Sequence, residues 1–238
     1  DQKFNHGYLA VDFFFILSGF VIGYAYDDRW KTMTVKDFIK RRVIRLHPMV
    51  VMGAVIGAVM FYFQGCPVWD VTKVTVAALL LATFVNALLI PATPGTEIRG
   101  LGEMYPLNGP SWSLFFEYIG NILYALIIRK FSTKALAVLV VAAGCGLAAF
   151  SIFGPYGDIC AGFSLTGTEF TGGFFRLLYA FSAGLLLSRV FKPARVRGAF
   201  WKCSLLVIIL LAVPRLGGAD RLWMNGLYDT VCFALFFP

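Results

Sequence analysis

Eight apolar runs recur along this chain of 238 residues, at 8–26, 48–63, 73–91, 111–128, 134–153, 173–191, 203–214 and 226–238. A bilayer core of ~30 Å takes ~20 apolar residues as α-helix, and these runs reach or approach that length. Lipid offers the backbone no hydrogen-bond partners, so only helices and closed barrels can span it. Barrel strands alternate in polarity over about ten residues, which these continuous runs do not. With 59% hydrophobic and 14% charged residues, no stretch stands out as a separate soluble domain. The expected fold is all-α, a polytopic transmembrane helical bundle of about seven to eight membrane segments forming a single domain over 1–238.

The net charge of +8 raises the question of a nucleic-acid partner, and its distribution answers it. Fifteen of the 21 Lys/Arg residues fall in three clusters, 29–45, 129–134 and 189–202. Clusters at inter-helix connections set orientation by the positive-inside tendency and touch anionic lipid. The expected partner is therefore the bilayer, and no nucleic acid. Seven basic residues lie between Arg29 and Arg45 against Asp27, Asp28 and Asp37, which assigns 27–47 to the cytoplasm. Loop 154–172 carries Asp158 and Glu169 but no Lys or Arg, and is expected outside. If 48–63 and 73–91 both crossed, the run from Ser111 would start on the wrong side. The segment 73–91, which contains Asn86 and ends at Pro91, is therefore expected to be re-entrant or interfacial rather than spanning.

Polar residues within apolar runs are costly and usually face the bundle interior, which makes them functional candidates. In 8–26, Asp12, Gly19 and Gly23 share a narrow arc of one helix face. The two glycines form a seam for close packing, and Asp12 would point at the neighbouring helix or cap the helix start. In Thr34–Leu46, Thr34 and Asp37 suit a capping box. There Val35, Phe38, Ile39, Val43 and Leu46 share an apolar arc, with Arg42 inside it and Arg45 at its edge. An arginine on a buried face needs an anion, and its planar fork suits phosphate; the competing reading is topology-setting charge alone. In 111–128, Ser113, Glu117 and Asn121 recur every four residues, with Tyr124 on the same side. Glu117 lies roughly 9 Å into that helix at 1.5 Å per residue. Such a carboxylate suits proton handling, orientation of a basic partner, or an interhelical hydrogen bond. Arg176 and Asp229 fall near expected helix ends and read as interfacial, as does His47. His6 sits just outside the first run and reads as a surface loop residue close in sequence to Asp12. The five cysteines show no CxxC or Cys/His ligand spacing, so no metal site is legible. Cys66 and Cys160 fall in loops expected outside, which leaves a disulfide between them open.

Three segments together resemble the membrane acyltransferase 3 family. GYLAVDFFFILSGFVIGYAY (7–26) is similar to its GxxxVDxFFxxSGF signature, carrying Asp12, Ser18, Gly19 and Phe20. FIKRRVIRLHP (38–48) is similar to its cytoplasmic RxxR pair, at Arg42 and Arg45. LNGPSWSLFFEY (107–118) is similar to its WSLxxE element, at Trp112, Ser113, Leu114 and Glu117. The resemblance implies an integral-membrane acyltransferase of the bacterial cytoplasmic (inner) membrane. It would move an acyl group, most simply acetyl, from cytoplasmic acyl-CoA to a hydroxyl of a surface or exported glycan such as a polysaccharide or lipopolysaccharide. Arg42 and Arg45 would meet the CoA phosphates. Glu117 and Asp12 would support catalysis, with Ser18, Gly19, Phe20, Trp112, Ser113 and Asn121 serving the substrate site or the structure of the motifs. The resemblance also implies a preceding helix bearing the main catalytic histidine, so the chain reads as truncated at both ends, with C-terminal helices missing as well. His6 does not occupy that motif position and is a secondary candidate. Two other classes are weighed beside this one. A proton-coupled transporter or flippase would use Glu117 and Asp12 as a relay, though no inverted repeat is visible. An inactive remnant would have lost the first helix.

Overall fold

The structure, a computed structural model, describes residues 6–65, 73–191 and 197–238. Cys66, and Lys192 and Arg195 of the third basic cluster, lie outside the described residues. Eight α-helices follow one another among those described: α1 Leu9–Tyr26, α2 Val35–Gln64, α3 Val76–Ala87, α4 Ser111–Leu126, α5 Thr133–Phe153, α6 Gly167–Val190, α7 Ala199–Ala212 and α8 Trp223–Val231. A π-helical turn, Cys232–Phe236, continues α8. The protein is a polytopic all-α membrane protein. Five helical segments are long and apolar enough to cross a bilayer, those beginning at Leu9, Val35, Ser111, Thr133 and Gly167; α3 and α7 are shorter apolar helices. The chain falls into two compact units. The first comprises Asp1–Thr32, Leu126–Cys160 and Phe174–Pro238, and the second Met33–Ala125 and Ala161–Gly173.

In the first unit α1 lies close against α6. A Cβ on Gly19 would stand 2.1 Å from Phe181 O, one on Gly23 2.1 Å from Ser188 Oγ, and one on Gly184 2.0 Å from Ile16 O. The glycine seam expected on α1 thus has a glycine opposite it on α6, and backbone meets backbone. On the other flank, Ser151 Oγ of α5 donates to Gly226 O of α8 at 3.0 Å. The ends of these helices sort by charge. Arg189, at the end of α6, donates from Nε to Asp27 Oδ2 (2.8 Å) and from Nη1 to Phe131 O (2.7 Å). Arg129 stands over the Trp30 ring at 4.1 Å. The connections after α1, before α5 and after α6 therefore gather at one end, as three basic clusters on one side of a membrane require. At the other end meet the start of α1, the end of α5, the end of α7 and the start of α8.

The second unit is built on α2. The sequence separates a basic helix ending near Leu46 from a spanning run starting at Pro48; the structure joins them in one helix of 30 residues with Pro48 inside it. Proline removes one backbone donor, which neighbouring contacts and local adjustment make tolerable in a membrane helix. At 1.5 Å per residue α2 is roughly 45 Å long, about 15 Å more than an apolar core. The excess is its basic beginning. That beginning is held by the expected capping box: Asp37 N donates to Thr34 Oγ1 and Thr34 N donates to Asp37 Oδ2, both at 3.2 Å. Three contacts show that α2 and α4 run antiparallel. Gly53 meets Asn108 just ahead of α4, Arg42 meets Glu117, and Phe38 meets Tyr124. The chain between Gln64 and Ser111 therefore leaves and returns on the same side. Within it α3 has 12 residues, roughly 18 Å, too short to cross. It packs on the C-terminal half of α2 through Phe61, Leu79 and Ala82, closed by Ile98 and Leu107 of the following loop.

Gly19→Ala is expected to lower the thermal stability of the detergent-solubilised protein by an amount near the upper end of about 1–3 kcal/mol, the range for overpacking. Gly95→Ala, where an added Cβ meets nothing within 4 Å, serves as the control and should melt as wild type.

Candidate functional site

The apolar face of α2 that carries Phe38 also carries Arg42, one helical turn on. Both are buried, whereas Lys36, Lys40, Arg41 and Arg45 are exposed. Arg42 Nη2 donates to Glu117 Oε1 at 2.8 Å, and the two side chains are 3% and 15% exposed. Glu117 comes from the polar stripe of α4. Asn121 Nδ2 donates to Glu117 O at 2.7 Å, and Tyr124, fully buried, packs its ring 5.5 Å from Phe38. Ser113 is turned away, its hydroxyl donating to Pro110 O at 2.9 Å. Trp112, ahead of this stripe, is buried edge-on against Phe163 and Phe116 at 5.1 and 6.0 Å. The RxxR pair is thus divided: Arg42 turns inward and neutralises the partly buried Glu117 carboxylate, and Arg45 faces outward.

The first unit holds a second polar cluster. Asp12 does not cap α1; it is fully buried against Arg176 of α6, whose Nε and Nη2 donate to its two oxygens at 3.1 and 2.8 Å. Arg176 Nη2 also donates to Tyr8 O at 2.7 Å. Tyr8 OH donates to both oxygens of Asp229 (3.0 and 3.1 Å), and Ile159 N donates to Asp229 Oδ2 (3.1 Å). His6 is fully buried, with Nδ1 2.8 Å from Val213 O. A carbonyl only accepts, so Nδ1 carries the proton and Nε2 holds the lone pair. Nε2 lies 4.0 Å from Asp229 Oδ1 and has no hydrogen-bond partner among the described residues. Burial lowers the His6 pKa from its ordinary 6.5, and the positive charge of Arg215 adds to this, against the opposing Val213 hydrogen bond. Arg215 is ion-paired to Asp158, a buried loop carboxylate that also accepts from Cys160 N at 2.8 Å. Burial pushes the Asp158 pKa up, opposed by Cys160 N–H and Arg215.

The sequence singled out Asp12, Arg42 and Glu117, and the structure gives each an ion-pair partner on a neighbouring helix. It corrects three other readings. His6 is not a surface residue, and Arg176 and Asp229 are not interfacial; all three are fully buried. The sequence signal for Arg176 was an arginine inside the apolar run 173–191, but its partner lies 164 residues away. Ser18 and Phe20 are half-buried on α1, and Gly19 serves the seam.

The sequence model of the acyltransferase 3 family, described as an acyltransferase domain, matches residues 2–238. The chain belongs to the acyltransferase 3 family. Over 125 residues it is 37% identical to a protein of Rhizobium radiobacter named "Protein 2 in picA locus". That match covers 50% of this chain and 64% of the relative, so the chain spans less than two thirds of the relative's length. No solved structure matches the chain.

In this acyltransferase 3 chain two arginine–carboxylate pairs, Asp12–Arg176 fully buried and Arg42–Glu117 mostly so, each join two helices. Removing one member of such a pair strands the other charge and typically costs about 3–5 kcal/mol, whereas replacing both by apolar groups is often neutral. Asp12→Leu is therefore expected to reduce folded yield sharply, and Asp12→Leu/Arg176→Leu to recover most of it, as read by size-exclusion profile and melting temperature. The His6 pKa gives a second test. Folding lowers the pKa of this base, so below 6.5 the unfolded chain binds more protons than the native one, and stability falls as pH drops. Melting temperature should decline on acidification below about pH 6.5, and His6→Gln should flatten that decline.

Proposed function

We propose that this acyltransferase 3 protein transfers an acyl group, acetyl in the simplest case, from cytoplasmic acyl-CoA to a hydroxyl of a surface or exported glycan. Its place would be the bacterial inner membrane. The observation that carries this reading is the beginning of α2. Lys36, Lys40, Arg41 and Arg45 stand exposed on its first turns beside Arg42, which turns inward to Glu117. A CoA phosphate held at the exposed cations would lie next to a buried, oriented ion pair, and Arg45 can grip phosphate through a planar fork. In the reaction the acceptor oxygen attacks the thioester carbonyl, a C–O bond forms, the C–S bond breaks, and CoA leaves as thiolate to be protonated. The hydroxyl proton must pass to a base. Asp12 and Glu117 are each held by an arginine, which suits them to orienting charge more than to taking that proton. The base is the histidine implied by the family resemblance, with His6, whose Nε2 has no hydrogen-bond partner among the described residues, as the second candidate.

The test is acetyl-CoA binding by the full-length protein in nanodiscs. Saturable binding by wild type is expected, weakened about tenfold in Arg45→Ala by the loss of a charge-assisted contact, with unchanged melting temperature. Arg42→Ala should lose binding and stability together, since it strands Glu117. A folded wild type that does not bind acetyl-CoA would overturn the reading in favour of a transporter or an inactive protein. Equal binding by Arg45→Ala would reduce that arginine to a topology signal.

A further inference from the structure

The loop after α5 and the turn between α7 and α8 enclose a cleft of about 380 Å³, lined by Pro155, Tyr156, Asp158, Cys160, Arg215 and Leu222. It lies at the end of the first unit opposite Asp27, Arg129 and Arg189, and none of the three family-like motifs contributes to it. Its walls carry both signs of charge. Asp158 is 2% exposed, anchored by Cys160 N and paired with Arg215. Arg215 is itself 48% exposed and engages Asp158 through Nη2, so a guanidinium with five N–H donors keeps several of them for the cleft. Tyr156 and Leu222 add apolar surface, at 38% and 41% exposure.

We propose that this cleft is a binding subsite for one neutral sugar ring of the acceptor, gripped by Asp158 and Arg215; the inference rests on the glycan acyltransferase reading above. A free phosphate or lipid headgroup would meet the Arg215 cation but be repelled by the Asp158 carboxylate beside it. Vicinal sugar hydroxyls each donate and accept, so an adjacent carboxylate and guanidinium satisfy both functions at once. Tyr156 and Leu222 suit the C–H faces of the ring. The volume sits at the small end of the range for ligand pockets, roughly 300–1,000 Å³, and so matches a single ring better than a chain or a nucleotide. The location matters for chemistry as well. Ile159, next in the chain to Asp158, donates its N–H to Asp229, which in turn lies 4.0 Å from His6 Nε2. A ring held here would be presented beside the cluster of His6, Tyr8 and Asp229.

The experiment is saturation-transfer NMR on the full-length protein in nanodiscs, with the methyl glycosides of glucose, galactose, mannose and N-acetylglucosamine as probes and inorganic phosphate as competitor. At least one glycoside should bind, phosphate should not displace it, and Arg215→Gln and Asp158→Asn should each weaken binding about tenfold, the loss of one charge-assisted hydrogen bond. Tyr156→Ala, which leaves Asp158 and Arg215 in place, should weaken it as well, and a melting temperature measured on each variant separates loss of binding from misfolding. Absence of binding by every glycoside, binding unchanged in all three variants, or displacement by phosphate would overturn the proposal. Acetyl transfer is read separately. Glycoside binding without transfer from acetyl-CoA leaves the subsite standing and sinks the acyltransferase reading, whereas transfer with an unchanged acceptor KM in the three variants does the reverse.

Discussion

A charge taken out of water must find its opposite, and in a chain this apolar that rule organises each unit. Isolated buried ions cost far more than their hydrogen bonds return, so a membrane helix keeps an arginine or aspartate only where another helix supplies the partner. Asp12 and Arg176 bind α1 to α6, and Arg42 and Glu117 bind α2 to α4. Each pair fixes rotation as well as proximity, because a helix turned by one residue would present its charge 100° away from the partner. Van der Waals packing alone would not discriminate so sharply among faces that are apolar all round.

The small residues and the ion pairs depend on each other. On α1, Gly19 and Gly23 fall on the same arc as Asp12, and on α6 Gly184 stands opposite. Removing the side chains lets the two backbones approach until a carbonyl of one helix sits where a Cβ of the other would be. That approach brings the forked guanidinium of Arg176 onto both oxygens of Asp12. A similar economy holds on α2, where Gly53 and Gly57 admit Asn108 and the Leu107 carbonyl, seating the loop that feeds α4 and so setting the depth at which Glu117 meets Arg42.

Much of this was legible in the sequence, for physical reasons that can be named. Periodicity of 3.6 residues put Arg42 on the Phe38 face and aligned Asp12 with its glycines, because those relations are local. The charge rule required that 48–63 and 73–91 not both cross and led to the expectation that 73–91 is re-entrant or interfacial, and the antiparallel pairing of α2 with α4 likewise returns the chain to the side it left. What local reasoning missed was pairing at long range. Nothing near Arg176 or Asp229 in sequence reveals that they are buried, since Asp12 is 164 residues from the first and Tyr8 is 221 residues from the second. His6 was misplaced for the same reason: its burial comes from the end of α7 and the ring of Tyr228. Pro48 misled in the opposite way, since a proline that would end a helix in water can be carried inside a membrane one.

The polar cluster around Asp229 differs in kind from the two interhelical pairs. Asp12 and Glu117 each meet an arginine head-on. Asp229 instead collects neutral donors, the Tyr8 hydroxyl and the Ile159 amide, and faces an imidazole across 4.0 Å. Two acceptor atoms at that distance do not attract each other unless a proton or a hydroxyl lies between them. The arrangement therefore differs from the two arginine pairs in that its carboxylate is held by neutral groups and not by a fixed opposite charge. The loop that supplies the Ile159 amide also carries Asp158, so the ion pair of Asp158 with Arg215 and the polar contacts of Asp229 are joined through one short stretch of chain, outside the glycine seam.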